Sequence, residues 1–283
     1  MPLRFDFGRN WEAFSAAKID SQRLADAADS LRQLIGTETI EGRTFLDIGC
    51  GSGLFSVAAA MCGAARVVGF DSNRKSVNVS KQNLMRLGAE LQGKAMPEFL
   101  LGDVLDDSFL VSLPKFDVVY AWGVLHHTGA MWEAMRKAAA LVEPRNGTLV
   151  LAIYHHHWTS PIWRQVKRLY NLSPGPVRWL MNYVFGALIY VAVWVTTRAN
   201  PLDKKRGMDF WFDVIDWLGG YPYEYARVHE VVGAVEPLGF KVEHTTRPRG
   251  HTGCNEFVFR RAAVSGDEDR AACTREAACA SHT

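Results

Sequence analysis

Residues 45–60, FLDIGCGSGLFSVAAA, open as a buried strand, break on three alternating glycines and continue as a helix. Glycines at a strand-to-helix turn let backbone approach a ligand closely, and the helix start behind them offers unpaired N–H groups with a partial positive charge. Any nucleotide fits that much. A dinucleotide turn reads G-x-G-x-x-G, whereas the order here is Asp47-x-Gly49-x-Gly51-x-Gly53. Asp47 places a negative charge at the mouth of the turn, which repels a pyrophosphate and attracts an ammonium. A second acid, Asp71, ends the following strand, where a carboxylate accepts both hydroxyls of a ribose. Together they favour an adenosine-like ligand over a dehydrogenase cofactor, and over a turn with no ligand.

Outward from this stretch the chain alternates. Residues 11–35 carry apolar side chains at near-helical intervals and predict one or two amphipathic helices. After the turn come a strand at 65–71, a helix at 76–88, strands at 98–103 and 116–122, a helix at 131–142 and a strand at 147–154. Such alternation makes a parallel sheet covered on both faces. From His155 to about Tyr225 the rhythm fails, and the composition turns to Trp, Tyr, Arg and Pro around a long apolar run. A helix at 225–240 and strands at 240–247 and 254–261 follow; residues 262–283 read as a disordered tail.

With 32 basic against 30 acidic residues in a chain of 283, no global field argues for nucleic acid. The five cysteines are odd in number, scattered and without C-x-x-C spacing, which fits reduced thiols better than disulfides or zinc. The start, MPLRFDFGRNWEAF, lacks the apolar core of a signal peptide. The expected location is the cytoplasm.

The series LDIGCGSG, VVGFD, LLGD and FDVVYAWGVLHH resembles the motifs of class I S-adenosylmethionine-dependent methyltransferases, closely over residues 44–154 and more loosely over 225–261. S-adenosylmethionine carries both an ammonium and a sulfonium. The resemblance implies a Rossmann-like α/β fold: a seven-stranded, mostly parallel sheet whose last strand, CNEFVFRR, runs antiparallel. It implies that Asp47 and the backbone around Gly49, Gly51 and Gly53 hold the methionine part, Asp71 the ribose, and Asp103 and Val104 the adenine, with Trp122 near the methyl group and Cys50 and Ser72 as further cofactor contacts. FDFGRNWEAF is similar to the aromatic segment that folds over the cofactor in small-molecule enzymes such as the ubiquinone O-methyltransferases and the methyltransferase type 11 group; Asn10 and Trp11 become cofactor contacts. The expected parts are an N-terminal helical lid segment (1–36), a cofactor-binding core (37–154), a helical, aromatic-rich substrate lid inserted after the fifth strand (155–224), the end of the sheet (225–261) and the tail (262–283).

A general base is wanted if the acceptor is a hydroxyl, phenol or amine. His127 is the first candidate, then His126 and His155, since imidazole titrates near working pH. His155, His156 and His157 cannot all ligate one ion, because neighbours on extended chain point to opposite faces; no metal is expected. The run at 179–197 is long enough to span a bilayer and is flanked by Arg178 and Arg198, with Trp179 and Trp194 near its ends. A span would separate the insertion from the sheet it rejoins, so a buried or interfacial helix roofing the site and touching membrane is favoured over a span or a dimer interface. In 198–226, Phe210, Trp211, Val214, Ile215 and Trp217 are expected to pack inward, and Asp203, Asp209, Asp213 and Asp216 dilute the charge of Lys204, Lys205 and Arg206. The reading is therefore a methyltransferase acting on a small or lipid-like acceptor, yielding S-adenosylhomocysteine. The alternatives are an RNA or tRNA methyltransferase and a cofactor-binding accessory subunit without turnover, which clogging by Trp122 would favour.

Overall fold

The computed structural model describes residues 3–36, 38–198, 200–203, 210–248 and 253–262. Lys204, Lys205, Arg206 and the tail at 263–283 lie outside the described residues. Two helices lead in, α1 (Phe7–Lys18) and α2 (Ser21–Ile35). Each begins on an aspartate: Asp6 accepts the N–H of Arg9, and Asp20 that of Arg23, relieving otherwise unpaired first-turn donors. Then come β1 (Thr44–Ile48), α3 (Leu54–Met61), β2 (Arg66–Asp71), α4 (Arg74–Leu87), β3 (Glu98–Leu101), α5 (Asp107–Val111), β4 (Val118–Trp122), α6 (Met131–Ala140) and β5 (Thr148–Tyr154). The insertion is helical, with α7 (Ser160–Leu172), α8 (Gly175–Thr197) and α9 (Phe210–Gly219); α10 (Val228–Val235), β6 (Phe240–Thr246) and β7 (Cys254–Arg261) complete the sheet.

The sheet order is β3-β2-β1-β4-β5-β7-β6 among the described residues, with β7 antiparallel to both neighbours and the other pairings parallel. Strand side chains alternate between two cores: Phe45, Val118, Tyr120 and Val150 face α2 and α3, while Leu46, Val119, Leu149 and Leu151 face α6 and α10. The order reverses between β1 and β4, so a crevice opens at their carboxyl ends.

The insertion departs from expectation in its layering. Residues 179–197 belong to α8, and none of them lines the cavity at the carboxyl ends of β1 and β4; α9 does, and α8 packs against α9 and α7. Only 6% of the apolar window of α8 is buried, so a buried helix roofing the site is overturned. Phe210 and Val214 do pack inward, but Trp211 is 41% exposed, because it sits on the α8 side with its ring against Gly186 and Tyr183.

Candidate functional site

At the crevice lies a cavity of about 700 Å³, within the ~300–1,000 Å³ usual for small-molecule sites. Its floor is the glycine turn. The carbonyl of Phe70, on β2, accepts the N–H groups of Gly49 (2.7 Å) and Cys50 (3.0 Å), which bends the chain sharply out of β1. That path needs left-handed backbone at Gly49, φ +69°, where a Cβ would stand 2.4 Å from Val124. Gly51 is left-handed too, and the indole of Trp11 occupies the space a Cβ would need. Gly49 and Cys50 line the cavity, while Gly51 and Gly53 do not, Gly53 packing against Phe99 and Ser80.

The two acids meet on this cavity from adjacent strands. Asp47 is 3% exposed and accepts the hydroxyl of Ser56 at 2.6 Å. Burial raises its pKa to about 7, against the Ser56 hydrogen bond and helped by the charge of Asp71. Asp71 accepts the N–H of Gly51 on one oxygen (3.1 Å) and that of Asn73 on the other (2.8 Å), fixing the carboxylate. Its pKa is raised by burial, opposed by those two backbone donors. Ser72, Asp103 and Val104 line the same wall, with Asp103 held by the N–H of Leu105 at 2.9 Å. Cys50 is pushed well up by burial and by Asp47, and stays a thiol.

Comparison with known proteins decides the family. A model described as a methyltransferase domain matches residues 19–184, more than half of the chain. The chain belongs to this methyltransferase family. Ribosomal protein L11 methyltransferase of Vibrio cholerae is 41% identical over 71 residues, 23% of this chain and 24% of that protein. Ubiquinone biosynthesis O-methyltransferase of Bordetella avium is 29% identical over 114 residues, 40% of this chain and 43% of that protein. The chain thus matches about a quarter to about two fifths of the length of these curated relatives. Among solved structures, magnesium protoporphyrin IX methyltransferase from Synechocystis with bound SAH superposes with a TM-score of 0.56 at 16% identity, over 90% of this chain and 93% of that one. An O-methyltransferase family protein from Burkholderia thailandensis gives 0.54 at 16%, over 89% and 60%. At such identity these share the fold of the methyltransferase.

Helices α1 and α9 both line the cavity and are tied to each other beside it. Asn10, 7% exposed, does not line the cavity; its amide donates to the Phe212 carbonyl (3.2 Å) and to Asp216 (3.1 Å), tying α1 to α9. The Phe5 N–H donates to the Tyr221 carbonyl at 3.1 Å, and its ring fills the space beside Gly219. Trp11 lines the cavity. Asp213 and Asp216 of α9 also face the cavity, where sequence reading treated them as dilution of a basic cluster. Their i, i+3 spacing, which shares one helix face, was the missed signal.

The histidines separate. His127 lines the cavity, and its Nδ1 lies 2.7 Å from the Pro222 carbonyl. A carbonyl only accepts, so Nδ1 carries the proton and Nε2 keeps the lone pair of the neutral ring. Burial, joined by the charge of Lys167 and opposed by the Pro222 bond, lowers its pKa to about 3. His126 has no exposed surface and lies outside the cavity, its ring tilted against that of Tyr154 with centroids 4.0 Å apart and its Nδ1 accepting the Tyr154 N–H. His155 also lies off the cavity, beyond the end of β5. Neither lines the cavity: the helical turn after β4 points His126 into the core, and His155 stands past the end of β5. Lys167, unnoticed in the sequence, is buried against the rings of Trp217 and Tyr223, its ammonium donating to the Trp217 carbonyl. Burial lowers its pKa to about 7, against the attraction of Asp216.

Proposed function

We propose that the protein transfers a methyl group from S-adenosylmethionine to a small, partly apolar acceptor. The observation that carries this reading is the convergence of Asp47 and Asp71 on one cavity floored by the glycine turn. The residues present fit that cofactor. Asp71, held by backbone donors on both oxygens, suits a ribose diol; Asp47 suits the ammonium; Asp103 and Val104 suit the adenine edge, and Gly49 brings backbone to the cavity wall. The cofactor supplies a methyl on a sulfonium, an excellent leaving group. The chain supplies alignment and exclusion of water. On this reading residues 37–154 and 225–261 form the binding core, and residues 1–36 and 155–224 the lid.

Trp122 stands on the cavity wall and is turned aside by donating its indole N–H to Glu256 at 2.9 Å, leaving the space open for an acceptor, which favours turnover over a silent accessory role. The acceptor side is aromatic, with Phe5, Phe7, Phe55 and Tyr221, and suits an apolar body better than a phosphate backbone. Where the acceptor must lose a proton, Nε2 of His127 is the candidate to take it; burial keeps the ring neutral and the Pro222 bond leaves the Nε2 lone pair available. The test is a melting-temperature shift with S-adenosylmethionine, followed by incubation with methyl-labelled cofactor and cell extract split into lipid, small-molecule, RNA and protein fractions. A shift that Asp71→Ala abolishes, with label in the lipid or small-molecule fraction, is expected. No shift refutes the cofactor, and label in RNA or protein refutes the acceptor.

A further inference from the structure

We infer that α8 is a membrane-docking helix that lies in the plane of an anionic lipid surface. A surface helix of a soluble domain is apolar toward its support and polar toward water. Helix α8 is apolar on both sides. Its inner stripe, Met181, Phe185 and Ile189, packs with α7 and α9. Its outer stripe, Val177, Leu180, Val184, Leu188, Val191 and Val195, recurs at three- and four-residue steps, and every member is between 43% and 60% exposed. Twenty-three residues make a rod about 34 Å long at ~1.5 Å per residue. Trp179 and Trp194 stand near its ends, both exposed, with Arg178 and Arg198 just beyond them. That is the arrangement of a helix whose rings and guanidiniums sit at headgroup level.

Charge decides the occupant. Between Glu143 and Asp203 the sequence has no acidic residue, and α8 carries exposed Arg178 in its first turn and exposed Arg198 at its C-cap. A second copy packed two-fold on this stripe would bring Arg178 of one helix against Arg198 of the other, with no carboxylate on either helix to answer them. An anionic lipid surface answers both. Crossing the bilayer is disfavoured by packing: α7 and α9, which flank α8 in sequence, contact each other and both lie along it, so its two ends remain on the same side. Docking depends on no feature of the cofactor cavity, so its failure and that of the methyltransferase reading are separate results.

The test is co-sedimentation of the full chain with vesicles of phosphatidylcholine alone and of phosphatidylcholine mixed with phosphatidylglycerol. Binding to the mixed vesicles is expected, several-fold weaker on neutral vesicles or at high salt. Leu180→Asp with Leu188→Asp should remove most of it, and Arg178→Gln with Arg198→Gln should lower partition to mixed vesicles by roughly tenfold. Circular-dichroism melting shows that the variants fold; both pairs lie on the exposed side, so unchanged melting is expected. The inference is overturned if the chain stays in the supernatant with mixed vesicles, or if the leucine pair leaves binding unchanged. It is equally overturned if sedimentation velocity without vesicles shows a dimer that the leucine pair returns to monomer.

Discussion

The sheet and the insertion solve opposite problems with similar raw material. In β1, β4 and β5 nearly every apolar side chain is fully buried, and the polar group that breaks the pattern, Asp47, stands at the site. In α8 nearly every apolar side chain is exposed on one side, and nothing polar breaks the outer stripe. Hydrophobicity alone does not distinguish the two; the covering partner does. The strands are covered by this chain's own helices, whereas the outer stripe of α8 is left without a cover of its own among the described residues. The core is thus built to hold charge inside an apolar frame, and the insertion to present an apolar surface outside one.

The sharpest way to break the comparison is in the core. Gly49→Ala forces a side chain into left-handed backbone and drives a Cβ to 2.4 Å from Val124. The expected loss is about 2–4 kcal/mol of stability, with loss of the melting shift given by S-adenosylmethionine. The same substitution at Gly175, at the start of α8, meets nothing within 4 Å and should cost little. Thermal melts of the two variants compare core with lid directly; equal losses would contradict the contrast.

Titration of Asp47 gives the next effect. Its carboxyl titrates near 7 in the unliganded fold and near 3.8 when unfolded, so the folded state holds the proton more tightly. Stability on its account is therefore greatest at low pH and declines as pH rises from about 4 to 7. Affinity for an ammonium-bearing ligand runs the other way, falling by up to about tenfold per pH unit below 7 as the carboxylate is protonated. Above about pH 8 affinity should fall again as a ligand α-amino group loses its proton. Asp47→Asn should raise the unliganded melting temperature more at pH 8 than at pH 5, and flatten the acid limb measured by calorimetric titration. A wild-type affinity constant from pH 5 to 7 would remove Asp47 from the ammonium site.

His127 offers a smaller effect. With its pKa near 3, its protonation should leave no inflection in the rate between pH 5 and 8. His127→Gln should lower kcat by about 10²-fold if Nε2 takes a proton, with KM for the cofactor little changed. An inflection near 6.5 that the variant abolishes would show that the ring is wetter and more basic than its place beside Pro222 allows.

Legibility in the sequence followed the same divide. The seven strands, their order of appearance and the site acids could be read because each depends on local pattern: apolar runs, alternate glycines, an acid at a strand end. The layering of the lid could not. Composition shows that α8 is apolar, and only the position of α9, inserted between it and the cavity, shows that its apolar surface faces away from the site. Asn10 was misjudged for a related reason: its amide reaches residues more than two hundred positions away, a pairing no local window contains. His126 and His155 flank good motif residues, but the turn after β4 and the end of β5 carry them out of reach of the ligand.

The last test falls on the bond that joins the two regions. The Asn10 amide is buried and gives both its hydrogens to α9, so Asn10→Ala leaves the Phe212 carbonyl and the Asp216 carboxylate each short of that donor. A global loss of about 1–2 kcal/mol is expected from hydrogen bonds of this kind. The more telling result is its distribution. If α1 and α9 close the cavity as one clasp, the variant should raise KM for both cofactor and acceptor several-fold and speed proteolysis of the insertion, while Asp71→Ala should weaken cofactor binding and leave proteolysis unchanged. If the two segments pack independently, Asn10→Ala will lower stability without changing either KM, and the lid must then be regarded as α9 alone.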